Sequence, residues 1–142
     1  MKKGGILNAA LMYQLTALRH GDKMVICDAG YPIPKDAVVI DISLVAGVPD
    51  VMTVLEAVLN EIIVEECSVS SSMKERNPEY YHRLREIFRV QNFQELEGKD
   101  FSRYACDAKF FIRTAELKPY SNIILVSASG VASASSSFDI SF

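Results

Sequence analysis

The sequence predicts one α/β domain, a single sheet with flanking helices. Short apolar runs at 23–27, 110–112 and 123–126 have strand length and are bounded by turn residues. Between them, apolar residues recur at helical spacing: Leu11, Leu15 and Leu18, then Val51, Leu55, Val58, Leu59 and Ile62. The chain has 142 residues, with no internal repeat and no linker, so one core is expected. The domain is expected to occupy 1–131, followed by a Ser-rich extension at 132–142.

Composition narrows the function classes. Apolar residues make up 49% and charged residues 23%, the balance of an ordinary globular domain. The net charge of −3, with no basic run longer than two residues, argues against nucleic-acid binding, which needs a clustered basic surface. No apolar run approaches the roughly 18 residues needed to cross a bilayer. The opening residues lack the apolar core of a signal peptide. Cys27, Cys67 and Cys106 are too widely spaced for a disulfide framework or a zinc pattern. Each is expected to pack as a small apolar residue in a reducing, cytoplasmic compartment.

Taken in order, Asn8 is a capping residue for a first helix that buries Leu11, Leu15 and Leu18, with Met12. Gly21 is a natural stop, so this helix is expected to reach His20 and set its imidazole at the negative end of the helix dipole. A buried strand follows and ends at Asp28. Ligand groups gather at the carboxyl ends of strands in α/β sheets, so Asp28 is well placed for binding. Pro32 and Pro34 make the next stretch an extended, stiff loop. Residues 37–43 read as a second strand and Gly47-Val48-Pro49 as a break. Asp50 caps a helix, residues 62–67 start a third strand, and 68–72 form a small polar loop.

Asn77-Pro78-Glu79 combines a cap, a proline at the first position and an acid in the first turn. The helix it starts buries Tyr81, Leu84, Ile87 and Phe88 and leaves His82 on its solvated face. Residues 94–98 read as a loop or strand end, 101–107 as a short helix, and 110–112 as a buried strand. The chain turns at Leu117-Lys118-Pro119 and ends its sheet with the run at 123–126.

Few chemical motifs stand out. There is no phosphate-binding glycine loop, no metal constellation and no Gly-x-Ser-x-Gly elbow, and no cofactor is expected. His20 reads either as a capping residue on a carbonyl or as an acid/base group. Asp28 reads as a cap for the turn before Gly30 or as a binding carboxylate, and Tyr120 and Asn122 as turn residues or as site residues.

One combination is more specific than its parts. His20-Gly21-Asp22, the spacing to Asp28, the Pro32-Ile33-Pro34 loop, the Gly47-Val48-Pro49 break and Tyr120-Ser121-Asn122-Ile123-Ile124-Leu125 occur in that order. Together they resemble the ribose pyranase/fucose mutarotase family, from Met1 to about Val131, with the segment 27–35 closer to the ribose branch. The resemblance implies an α/β fold, a closed ring-like homo-oligomer with its pocket at subunit contacts, and a free monosaccharide as substrate. By the same resemblance His20 matches a proton-donating histidine, Asp28 a sugar-binding carboxylate, and Tyr120, Ser121 and Asn122 a sugar-binding tripeptide. The chain departs from the pattern at Gly98, where the ribose branch has a binding His and the fucose branch an Arg; Lys99, Glu97 or a residue of a neighbouring subunit are the substitutes available.

Mutarotation opens and recloses a hemiacetal. The ring oxygen gains a proton as its bond to the anomeric carbon breaks, and the anomeric hydroxyl loses one. An imidazole suits transfer in both directions near neutral pH. The expected assignment is His20 as acid/base, Asp28 holding hydroxyls and orienting His20, and Tyr120 and Asn122 holding the sugar. The competing reading is a non-catalytic sugar-binding or regulatory protein of an uptake system.

Overall fold

The computed structural model describes residues 1–130, so the extension expected at 132–142 lies outside the described residues. Six strands form one mixed sheet: β1 (Lys23–Cys27), β2 (Val39–Asp41), β3 (Val64–Ser70), β4 (Asn92–Leu96), β5 (Phe110–Arg113) and β6 (Ile123–Ser127), in the order β2-β5-β1-β6-β3-β4. β6 runs antiparallel to β1 and β3, and every other neighbouring pair is parallel. Five strands therefore end where β6 begins. The residues after β1 and β4 and those before β6 converge at that end of the sheet.

Alternation along the strands divides the core in two. Met24, Ile26, Cys67, Val69, Phe110, Ile112, Ile123 and Leu125 face the larger cluster, which holds residues of α1 (Ala9–Ala17), α2 (Val51–Leu59) and α4 (Pro78–Ile87). Val25, Cys27, Phe111 and Ile124 face Phe101 and Ala105 of α5 (Gly98–Ala105). The expected α/β fold class holds.

Several elements differ from the sequence expectation. α1 starts as expected, with Asn8 Oδ1 accepting the Leu11 N–H at 2.9 Å, but Leu18 is already extended. Asp22 Oδ2 captures the Arg19 N–H at 2.7 Å, and Lys109 Nζ donates to the freed Ala17 carbonyl at 2.7 Å. His20 therefore lies in a turn beyond the helix, and the dipole argument does not apply to it. β2 spans three residues of the expected seven, as a sheet edge beside β5. β3 continues through the serines read as a loop, because Ser68 is fully buried between β6 and β4 and its hydroxyl donates to Glu66. The one-turn helix α3 (Met73–Arg76) was not anticipated, and α5 begins at Gly98, earlier than expected. α2 follows its cap, with Asp50 Oδ1 on the Thr53 N–H at 2.7 Å. Cys27 and Cys67 pack inside as expected; Cys106 is exposed at the end of α5 and does not.

Candidate functional site

At the convergent end of the sheet an open cavity of about 320 Å³ is lined by Ser70, Gly98, Phe101, Pro119, Tyr120 and Asn122. That is the size range of small-ligand pockets. The sheet topology accounts for the lining: Ser70 ends β3, Gly98 follows β4, and Tyr120 and Asn122 precede β6.

Asp28 joins this group through its backbone, whose N–H donates to Asn122 Oδ1 at 2.8 Å. Asp28 Oδ1 accepts the Gly30 N–H at 2.9 Å, so the residue is both turn cap and site neighbour. Asp28 Oδ2 and Asn122 Nδ2 have no hydrogen-bond partner among the described residues. One acceptor and one donor are thus left at the cavity end, a pairing suited to hydroxyls.

The segment after β5 holds the Asp28 loop from the other side. Thr114 Oγ1 donates to the Cys27 carbonyl at 2.9 Å, the Ala29 N–H donates to the Glu116 carbonyl at 2.9 Å, and Arg113 Nε donates to the Ala29 carbonyl at 3.0 Å. Burial, with the Asp28 charge adding to it, pushes the Cys27 thiol up to about 12, which leaves it protonated and inert as a nucleophile. Tyr31 stacks on Phe111 and meets Phe101 edge-on, anchoring the proline loop to the smaller core.

Tyr120 has a φ of +56°, a left-handed conformation rare for a bulky residue and costing on the order of 1–3 kcal/mol. Ser121 and Asn77 hold it there. The Ser121 hydroxyl donates to the Lys118 carbonyl at 2.8 Å and accepts from Asn77 Nδ2 at 3.1 Å. Ser121 is fully buried, so its side chain does not face the cavity as a binding group; it fixes the turn between Tyr120 and Asn122. In the sequence, Asn77 reads as a helix cap. It occupies the cap position without a capping bond, and its amide is spent on this turn instead. The Asn-Pro signature of a helix start conceals that role in the sequence.

His20 is elsewhere. It precedes β1 and Asp28 follows it, so the five-residue strand alone separates them by about 16 Å at roughly 3.3 Å per residue. Asp28 does not orient His20 within one chain. The partner of His20 Nε2 is Glu65 Oε2, at 3.1 Å. Glu65 was not singled out from the sequence, although a signal exists: Val64, Cys67 and Val69 cannot all face one core unless one residue between 64 and 67 is extra.

Comparison with known proteins adds a family. Residues 1–132 match the model of the RbsD / FucU transport protein family. A D-ribose pyranase of Geobacillus thermodenitrificans is 42% identical over 125 residues, covering 88% of this chain and 95% of that one. The structure of Bacillus subtilis RbsD complexed with D-ribose is 38% identical, with a TM-score of 0.86, over 90% of this chain and 98% of that one. The fucose mutarotase of Streptococcus pneumoniae, solved in complex with L-fucose, shares the fold at 21% identity and a TM-score of 0.75, over 88% of this chain and 95% of that one. A family match over nearly the full chain, and relatives well above 30% identity, converge with the sheet order and the clustered site residues: the chain belongs to the RbsD / FucU family.

Proposed function

We propose that this protein is a cytoplasmic sugar mutarotase, an isomerase that interconverts cyclic forms of a free monosaccharide, with D-ribose pyranose–furanose exchange as its first assignment and L-fucose anomers as the second. The observation that carries the proposal is the pairing of Asp28 and Asn122 beside a sugar-sized cavity, in a chain whose relatives are named for this reaction.

A site shared by two subunits fits the distance between Asp28 and His20. One monosaccharide does not span β1, so a sugar held by Asp28, Tyr120 and Asn122 meets the His20 of a neighbouring copy in a ring-like homo-oligomer. Asp28 Oδ2 accepts from sugar hydroxyls, Asn122 Nδ2 donates, and the Tyr120 ring offers a flat face. In its imidazolium form, His20 delivers a proton from the nitrogen not bound to Glu65 to the ring oxygen as its bond to the anomeric carbon breaks. The anomeric hydroxyl gives up its proton to the His20 nitrogen that has just lost one and becomes the carbonyl of the open chain. Reclosure through a different hydroxyl, or onto the other face, runs these steps in reverse. Mutarotation already proceeds in water, so one well-placed acid/base group meets a modest demand.

A second reading, sugar binding without catalysis, is favoured by Gly98, which lines the cavity yet brings no side chain to it. Magnetisation-exchange NMR on D-ribose and L-fucose, with and without protein, separates the two. Faster exchange of ribose ring forms supports the first assignment, and faster exchange of fucose anomers alone moves it to the second. Saturable binding with no faster exchange of either sugar rejects catalysis.

A further inference from the structure

We propose that Glu65 is a positioning residue for His20, holding Nε2 as the protonated nitrogen and leaving Nδ1 as the one that exchanges protons with the sugar. This rests on the acid/base role given to His20 above.

The placement of Glu65 is built into the sheet. Along β3 the register pairs Val64 with Ser127 and Glu66 with Val126, so Glu65 is the extra residue of a bulge. The bulge lets Val64 and Cys67 both enter the larger core while Glu66 turns to the other face, where it accepts from Tyr104 and Ser68. Glu65 is released from the alternation and its carboxylate reaches His20. Bulges commonly re-aim one side chain in this way.

The backbone of His20 is fixed just as closely. The Gly21 N–H donates to the Ser127 carbonyl at 2.9 Å, the Ser127 N–H donates to the Asp22 carbonyl at 2.9 Å, and Asp22 holds both Arg19 and Lys109. Ser127 thus pairs with the His20 turn on one side and with the strand carrying Glu65 on the other. Two elements far apart in sequence are locked to one residue, and the imidazole and carboxylate meet across it.

The chemistry follows from donor and acceptor counts. An ionised carboxylate only accepts, so the nitrogen facing it carries the hydrogen. In the neutral ring the other nitrogen then has the lone pair. Nδ1 has no hydrogen-bond partner among the described residues, and the His20 side chain is 61% exposed, open to a ligand brought by another surface. When Nδ1 takes the proton of the anomeric hydroxyl, the carboxylate faces the imidazolium that forms.

The chain has two histidines, and His82 on α4 is exposed and serves as a solvent reference. Nitrogen-15 NMR of the imidazoles reads the tautomer directly. In the neutral form, His20 is expected to show a higher Nε2–H fraction than His82. In Glu65→Gln, whose amide donates as readily as it accepts, that fraction is expected to fall while His82 is unchanged. In parallel, Glu65→Gln is expected to lower the maximal rate of sugar exchange about tenfold, the loss typical of one hydrogen bond to a charged group, with sugar affinity kept and Glu65→Asp recovering part of the rate. Equal tautomer fractions at the two histidines, or no change at His20 on substitution, overturn the proposal. A wild-type protein that accelerates no sugar overturns the mutarotase reading instead, and the tautomer result still decides whether Glu65 orients the ring.

Discussion

Two variants that are each inactive are expected to restore one another when assembled together. His20→Ala removes the acid/base group. Asn122→Ala removes an amide at the cavity and leaves the Asp28 N–H without its acceptor, at a cost of about 1–3 kcal/mol for the unpaired donor. Within one chain the two lesions sit at opposite ends of β1, about 16 Å apart by strand rise. If each site takes His20 from one subunit and Asn122 from its neighbour, random assembly at equal amounts gives a half chance of each intact half. Roughly a quarter of the sites are then whole. The assay is ribose exchange after the two variants are unfolded, mixed and refolded together, beside each refolded alone. Activity of the mixture near a quarter of refolded wild type is predicted. A mixture no more active than its separate components, with refolded wild type active, refutes the two-subunit site.

Other substitutions test the supporting structure. Ser121→Ala strips the hydroxyl that ties Asn77 to the Lys118 carbonyl and is expected to cost about 1–3 kcal/mol in urea unfolding, with sugar affinity weakened as Tyr120 relaxes from its left-handed conformation. Gly98→His is expected to fold with its melting temperature kept or raised: a Cβ there meets nothing within 4 Å, and the wild-type glycine adds entropy to the unfolded chain. Calorimetry and ribose titration should show a filled cavity and tighter ribose binding. Asp22 and Asp41 are held below the usual carboxylate range, the first chiefly by Lys109 and the Arg19 N–H, the second chiefly by Ser43 and then Arg113. A carboxylate with a lowered folded value contributes stability that is complete above its ordinary value near 4 and is lost as pH falls through the folded value. Asp22→Asn should therefore be less stable than wild type at pH 6 and closer to it at pH 3, as read from urea midpoints.

The parts of the fold legible in the sequence are those fixed locally. The apolar runs at 23–27, 110–112 and 123–126 form β1, β5 and β6, the last two each one residue longer than the run, and α2 carries its own cap in Asp50. Contacts between distant segments account for most of what was missed. α1 ends before His20 because Lys109, 92 residues away, takes its last carbonyl. The serines at 68–70 are strand residues because β6 and β4 close on them, which their own composition opposes. The same holds at the site. Asp28, Tyr120 and Asn122 were picked out and do converge, because the sheet topology brings together the ends of β1 and β4 and the start of β6. Ser121 was picked out and turns inward, and the grip of Asn77 on it depends on a contact 44 residues along the chain. Glu65 is recoverable only by counting the residues between Val64 and Cys67 and asking which one the sheet leaves over.

The most direct test of the account is ribose exchange catalysed by wild type and by His20→Ala, measured side by side by magnetisation transfer on samples shown to be folded and equally assembled. The account predicts acceleration of pyranose–furanose exchange by wild type and a return to the rate in buffer for the variant, with ribose binding retained. An unchanged rate in His20→Ala would contradict the assignment of this histidine as the group that moves the proton.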